Sequence, residues 1–239
     1  MNLASGARVA LLASVFVAIS SVVAGCNSRP NPSADPTPKS AALTVRKSNS
    51  ESVPSPTPGV GQPYDFYLLN LSWSPEFCAT HGSSPECSQH LGFVVHGLWP
   101  QNNDGSYPKN CGSRPGPSSD KAWAGLMPTA SLAQHEWQTH GTCTPYDADT
   151  YFGLIRRAFG EVHIPAAFTN TTQQTMEPPA QIIDSFATMN SSFPSGSIAV
   201  SCGNNYLTAI EVCFDKQLNP IACQAVRSCR ANTVRIPPQ

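Results

Sequence analysis

The chain has 239 residues, a formal net charge of −1 and only 12% charged residues. This balance excludes a protein that coats nucleic acid through its phosphates, because such proteins are strongly basic, but not an enzyme that touches nucleic acid briefly. Nine cysteines point to an oxidising compartment, and the odd number leaves one for a task other than pairing.

Residues 1–25 read as an export signal. Arg8 precedes the apolar run from Val9 to Ile19, which is too short and too diluted with Ser and Ala to read as a membrane span. The segment ends in Val23-Ala24-Gly25-Cys26, similar to a bacterial lipobox, in which the cysteine is lipidated and becomes the new N-terminus. Cys26 is then the odd cysteine, and its acyl chains would anchor an exported protein to a membrane, facing the periplasm or the cell surface. Between residues 27 and 62 stand seven Pro, seven Ser and no aromatic residue. Such a stretch buries too little apolar surface to offset its ordering entropy, so residues 26–62 read as a flexible tether. Residues 63–239 remain as one folded domain, expected to be a monomer.

Tyr64 to Trp73 alternates and is rich in aromatics, as a largely buried strand would be. Ser74-Pro75 breaks it, and a loop with Cys78 and Cys87 follows. Leu91 to Val95 reads as a second strand with His96 at its end, where a rigid sheet presents polar groups well. Gln101 to Pro128 is polar, rich in Gly and Pro, and reads as loop with one turn of helix at Asp120 to Leu126. A helix is predicted from Ser131 to Gly141, the glycine suiting the position just past the end. Asp147 caps a second helix, Thr150 to Phe159, and a third runs from Pro178 to Met189. Ser197 to Ser201 and Tyr206 to Phe214 read as strands. Strands and helices do not alternate regularly, so the pattern predicts an α+β layout rather than a doubly wound sheet.

Eight cysteines remain after Cys26, and eight allow 105 pairings. Proximity suggests Cys78–Cys87 and a nested pair, Cys213–Cys223 inside Cys202–Cys229. Cys111–Cys143 is left, which would tie the loop after His96 to the end of the first long helix.

The chemistry concentrates in two segments, Gly92-Phe93-Val94-Val95-His96-Gly97-Leu98-Trp99-Pro100-Gln101 and His135-Glu136-Trp137-Gln138-Thr139-His140-Gly141-Thr142-Cys143. They hold three of the six histidines and a carboxylate. Two histidines in opposite protonation states run acid–base chemistry, and a third cation holds an anion. On a helix His135 and His140 are five apart, about 140° around the axis at roughly 100° per residue, so they do not chelate one ion as the H-E-x-x-H motif does. No G-x-S-x-G elbow is present, so the nucleophile would come from the substrate, and an RNA 2′-hydroxyl is such an internal nucleophile. Trp99 and Trp137 accompany the motifs; core packing accounts for Trp137 but not for Trp99.

These two segments resemble the active-site signatures of the RNase T2 family, and the similarity runs from about Pro63 to Cys229. It implies a central antiparallel sheet with flanking helices. It also implies a metal-independent endoribonuclease, without cofactor, that cleaves single-stranded RNA through 2′,3′-cyclic phosphates to 3′-phosphates. By the family pattern His140 would be the base on the 2′-hydroxyl and His96 the acid on the leaving oxygen. His135 would bind phosphate, and Glu136 would stabilise the pentacoordinate transition state. Trp99 and Tyr107 would clasp a base and Gln101 would hydrogen-bond it, with little base preference, since stacking tolerates any base. One position departs from the pattern: the family commonly has Lys where this chain has Thr139. The rival reading is therefore a catalytically weak RNA-binding lipoprotein. A metallohydrolase using His135, Glu136 and His140 is a further rival.

Overall fold

A strand buried on both faces anchors the domain. In β1 (Phe66–Trp73) the side chains of Tyr67, Leu69, Leu71 and Trp73 enter the main core, while Phe66 and Leu68 pack on the other side with Cys213. The computed structural model describes residues 52–57 and 60–239. The export signal, Cys26 and most of the tether lie outside the described residues.

Six strands form one sheet: β1, β2 (Phe93–Gln101), β3 (Thr175–Glu177), β4 (Ile198–Gly203), β5 (Tyr206–Phe214) and β6 (Val234–Ile236). The order is β2-β1-β5-β6-β3, and β4 also pairs with β5. Every pairing is antiparallel except that of β5 with β6, a single parallel contact between Tyr206 and Arg235. The sheet is therefore mixed. Among the described residues four helices flank it: α1 (Ser74–Thr80), α2 (Ala130–Thr139), α3 (Ala148–Gly160) and α4 (Pro179–Met189). Tyr151, Phe152 and Ile155 of α3 and Ile182 and Phe186 of α4 join the main core. None of the helices among the described residues is long and apolar enough to cross a membrane.

Local chemistry explains most boundaries. Thr129 caps α2 by accepting from the Leu132 N–H, and Asp147 caps α3 by accepting from the Thr150 N–H. Ser74-Pro75 begins a helix rather than a loop, because a proline in the first helical turn loses no intrahelical hydrogen bond. β3 and β6, three residues each, carry too little periodicity to be read from sequence.

Two corrections bear on the site. β2 runs on to Gln101, so His96 stands within the strand and not at its end. Pro100 is tolerated there because β2 is an edge strand. The tether reading also changes at its C-terminal end. The Thr57 N–H donates to the Pro145 carbonyl, the Gln62 N–H donates to the Cys143 carbonyl, and Val53 packs against the core. The segment is docked on the domain, not free. A cavity of about 660 Å³ lies under it, between Pro54, Pro56, Tyr64, Tyr146, Arg157 and Lys216.

The structure pairs Cys78 with Cys87, Cys111 with Cys143, Cys202 with Cys229 and Cys213 with Cys223.

Candidate active site

The bulge in β2 sets the geometry. Asn70 pairs with Gly97 and Leu71 with Val95, so His96 is the extra residue without a partner on β1. A bulge re-aims its side chain and bends the strand. His96 is turned toward α2, where its Nε2 lies 3.4 Å from Oε1 of Glu136. The imidazole keeps 39% of its surface exposed, while Glu136 keeps 1%.

Glu136 reaches β2 because Gly97 has no side chain. A Cβ on Gly97 would stand 2.0 Å from Oε2 of Glu136 and 2.5 Å from Nε1 of Trp99. Into that gap the indole N–H of Trp99 donates to Oε2 of Glu136 at 2.7 Å. The other oxygen, Oε1, is buried without a hydrogen bond. Burial pushes the Glu136 carboxyl up to about 8, with the Trp99 hydrogen bond pulling the other way.

His140 ends α2, accepting the role of its C-cap, and the chain leaves it through the short 3₁₀ turn Gly141–Cys143. Its ring stacks on Trp99, with centroids 5.2 Å apart and planes at 29°. Its Nδ1 is buried without a hydrogen bond. Burial, then the charges of His135 and His96, lower its pKa to about 4. Burial, then His135, also lowers His96. His135 itself is exposed on α2, close enough for its charge to act on both of the other rings. Trp99 thus stands in the middle of the group: stacked on His140, edge-on to His96 at 5.7 Å, and bonded to Glu136.

Tyr107 is 48% exposed, with its ring 6.4 Å from that of His140. Lys109 Nζ lies 5.8 Å from the Tyr107 ring. Asn110, in a left-handed conformation at φ 55°, donates its N–H to the carbonyl of Thr139, and the Cys111–Cys143 disulfide follows directly. The loop with Tyr107 is in this way fastened to the end of α2. Gln101 is half-buried at the end of β2. Thr139 is half-buried and uncharged. Trp137 is 2% exposed in the main core.

Three contributors were not among the predicted site residues. Gly97 is one, and its place directly after His96 was its only mark. Gly141 is another: it does not adopt the left-handed conformation of a glycine past a helix end, but a Cβ there would stand 2.2 Å from the Trp137 ring. Arg114 is the third. Its guanidinium lies 5.1 Å from the Trp137 ring and bonds the backbone just after His140, and nothing near it in sequence marks it out.

A family model described as the Ribonuclease T2 family matches residues 64–223. A ribonuclease of Aeromonas hydrophila is 48% identical over 83 residues, 34% of this chain and 38% of that protein. Ribonuclease DdI of Dictyostelium discoideum is 30% identical over 178 residues, 64% of this chain and 74% of that protein. A probable ribonuclease of Haemophilus influenzae is 34% identical over 122 residues, 43% of this chain and 45% of its own length. The match thus spans less than half of the two bacterial relatives. Among solved structures, trichomaglin, an S-like ribonuclease, superposes with a TM-score of 0.60 at 21% identity, over 73% of this chain and all of its own. RNase NT, solved with 5′-AMP, gives 0.54 at 18% identity, over 74% of this chain and all of its own. At those identities the superpositions establish the α+β fold, and the family match over most of the folded domain establishes the rest: the chain belongs to the Ribonuclease T2 family.

Proposed function

We propose that the protein is an endoribonuclease that cleaves single-stranded RNA by attack of the 2′-hydroxyl on the adjacent phosphorus. The observation that carries this reading is the pairing of two unlike proton sites around Trp99. His140, lowered to about 4, is a free base throughout the mildly acidic to neutral range. The His96–Glu136 pair, 3.4 Å apart with Glu136 raised to about 8, retains a proton over the same range.

His140 takes the 2′-hydroxyl proton as the 2′-oxygen bonds to phosphorus. The P–O5′ bond then breaks, and His96 gives its proton to the departing 5′-oxygen. The product is a 2′,3′-cyclic phosphate. In the second step the roles reverse: His96 activates water, and His140 protonates the 2′-oxygen as the ring opens to a 3′-phosphate. His135, exposed beside both rings, attracts the phosphate. Glu136 serves through His96: as negative charge builds on the phosphorane, the carboxyl proton moves readily toward the imidazole, and the resulting cation opposes that charge. Trp99 is already held by Glu136 and His140, so its free edge, Tyr107 and Gln101 receive a base with little reordering. DNA lacks the 2′-hydroxyl and is not a substrate. Export and the lipid anchor at Cys26 would place this activity at a membrane surface.

Thr139 supports the second reading, a catalytically weak RNA binder, because it leaves the phosphorane one cation poorer. One experiment separates the two. The full chain, with disulfides formed, is incubated with single-stranded RNA in EDTA, beside His96→Ala, His140→Ala and Thr139→Lys. Cleavage to 2′,3′-cyclic ends, lost in both alanine variants and faster in Thr139→Lys, is the expected result. A folded wild-type protein that binds RNA without cutting it would establish the second reading, and inhibition by EDTA would point to a metallohydrolase.

A further inference from the structure

The turn that follows His140 presents six consecutive carbonyls, Gly141 to Tyr146, and two elements remote in sequence donate to all of them, the Gly141 oxygen accepting also from Thr144 within the turn. Nη2 of Arg114 lies 3.2 Å from the Gly141 oxygen, 2.7 Å from that of Thr142 and 2.7 Å from that of Thr144. Its Nη1 donates to the Tyr146 oxygen. The two carbonyls in between go to the Pro/Ser-rich segment: Cys143 accepts from the Gln62 N–H at 2.9 Å, and Pro145 from the Thr57 N–H at 3.1 Å. Arg114 is itself held from behind, because the Trp137 indole N–H donates to its carbonyl at 3.1 Å. Gly61 lets the segment come this close. It sits at φ +83°, and a Cβ there would stand 2.6 Å from the Cys143 oxygen and 2.7 Å from the Thr144 carbonyl carbon.

We propose that the described end of the tether, residues 52–57 and 60–62, works through Thr57, Gly61 and Gln62 with Arg114 as a positioning clamp for His140. Neither touches the reacting atoms. They fix the backbone on the C-terminal side of a ring that has no hydrogen bond of its own at Nδ1. With that atom unpaired, the ring is oriented by its stacking on Trp99 and by the path of its backbone, and the path is what the clamp sets. Five of the six carbonyls, Thr142 to Tyr146, follow the Gly141 turn without a helix to satisfy them, so loss of a donor frees the turn to move. The catalytic unit therefore begins near Ser52, inside the segment that leads to the membrane anchor. This inference rests on the reading of His140 as the base.

Three variants of the full chain test it: Arg114→Lys keeps the charge and loses the planar fork, Gly61→Ala lifts the segment away, and Thr57→Pro removes one donor at an exposed position and leaves the core untouched. Two properties are read: RNA cleavage as separate kcat and KM values, and titration of the His140 ring by NMR. The expected result is kcat about tenfold lower or more for Arg114→Lys and Gly61→Ala, with KM changed less than about twofold. The His140 midpoint should move up toward the ordinary histidine value in all three, least in Thr57→Pro. Variants that melt earlier but keep the wild-type kcat and His140 midpoint would overturn the clamp and leave a stabilising contact only. If the wild-type protein proves inactive, the proposed function falls, and the titration still decides whether the clamp orients His140.

Discussion

Glu136 is the residue on which acidity and stability meet. It is nearly fully buried, and its carboxyl is raised because the charged form is desolvated. A carboxyl that titrates higher in the folded state than its ordinary value of 4.5 binds its proton more tightly when folded. Its contribution is complete below about pH 4.5 and is lost as the pH rises through about 8. His140 works in the opposite direction: its lowered pKa makes the folded state lose stability as the pH falls from 6.5 toward about 4. Stability should therefore peak on the acid side of neutral, where the two windows overlap between about pH 4.5 and 6.5 and the opposing slopes cancel. Glu136→Gln, neutral at every pH, should melt several degrees above the wild type at pH 8.5, with the gap shrinking toward pH 5, while its cleavage rate falls at least about tenfold at both. Calorimetry across pH, beside the cleavage assay, checks this. An unchanged melting difference between pH 5 and 8.5 would mean that Glu136 is ionised in the folded protein.

At the scale of the element, the bulge in β2 and the end of α2 matter more than the strand and helix as wholes. The bulge turns His96 out of register, and Gly97 leaves the space through which Glu136 meets it. Gly97→Ala should therefore cost about 1–3 kcal/mol of stability through overpacking. It should also lower kcat by about 100-fold or more, because a displacement of roughly 1 Å at a reacting pair has that effect. Denaturant titration and steady-state kinetics of the one variant separate the two losses. A Gly97→Ala protein with wild-type kcat would show that Glu136 need not lie against His96. This detail was not legible beforehand: Leu91 to Val95 reads as a strand by its apolar run, but a bulge depends on how β1 pairs with β2. The three longer helices were legible to within a few residues because their end signals are local: Asp147 before α3 and Pro178 before α4 were read, while the Thr129 cap of α2 was not, and that helix was placed from Ser131 to Gly141. Ser74-Pro75 misled because the same dipeptide that ends a strand also starts a helix.

At the scale of the molecule, the Cys111–Cys143 bridge joins the Tyr107 loop to the end of α2. It closes 32 residues of sequence, so removal by Cys111→Ala with Cys143→Ala should cost about 2–4 kcal/mol. The loop it releases carries Tyr107, so KM for RNA should rise more than kcat falls. Thermal unfolding and the two kinetic constants measure both effects. Equal stability without the bridge would leave the Arg114 fork and the docked segment as what holds that turn.

Chemistry written in consecutive residues was readable in advance: the histidine segments, the Asp147 cap, the alternation of β1 and the α+β layout. Neighbours in sequence are neighbours in space, and their side chains declare their protonation range by type. The tertiary structure alone decided which of these groups would be buried, and burial is what splits the histidines and Glu136 into unlike proton sites. It also decided that Arg114 and the Pro/Ser-rich segment meet behind His140. Backbone carbonyls are the same at every residue, so only the path of the folded chain determines which distant donors reach them.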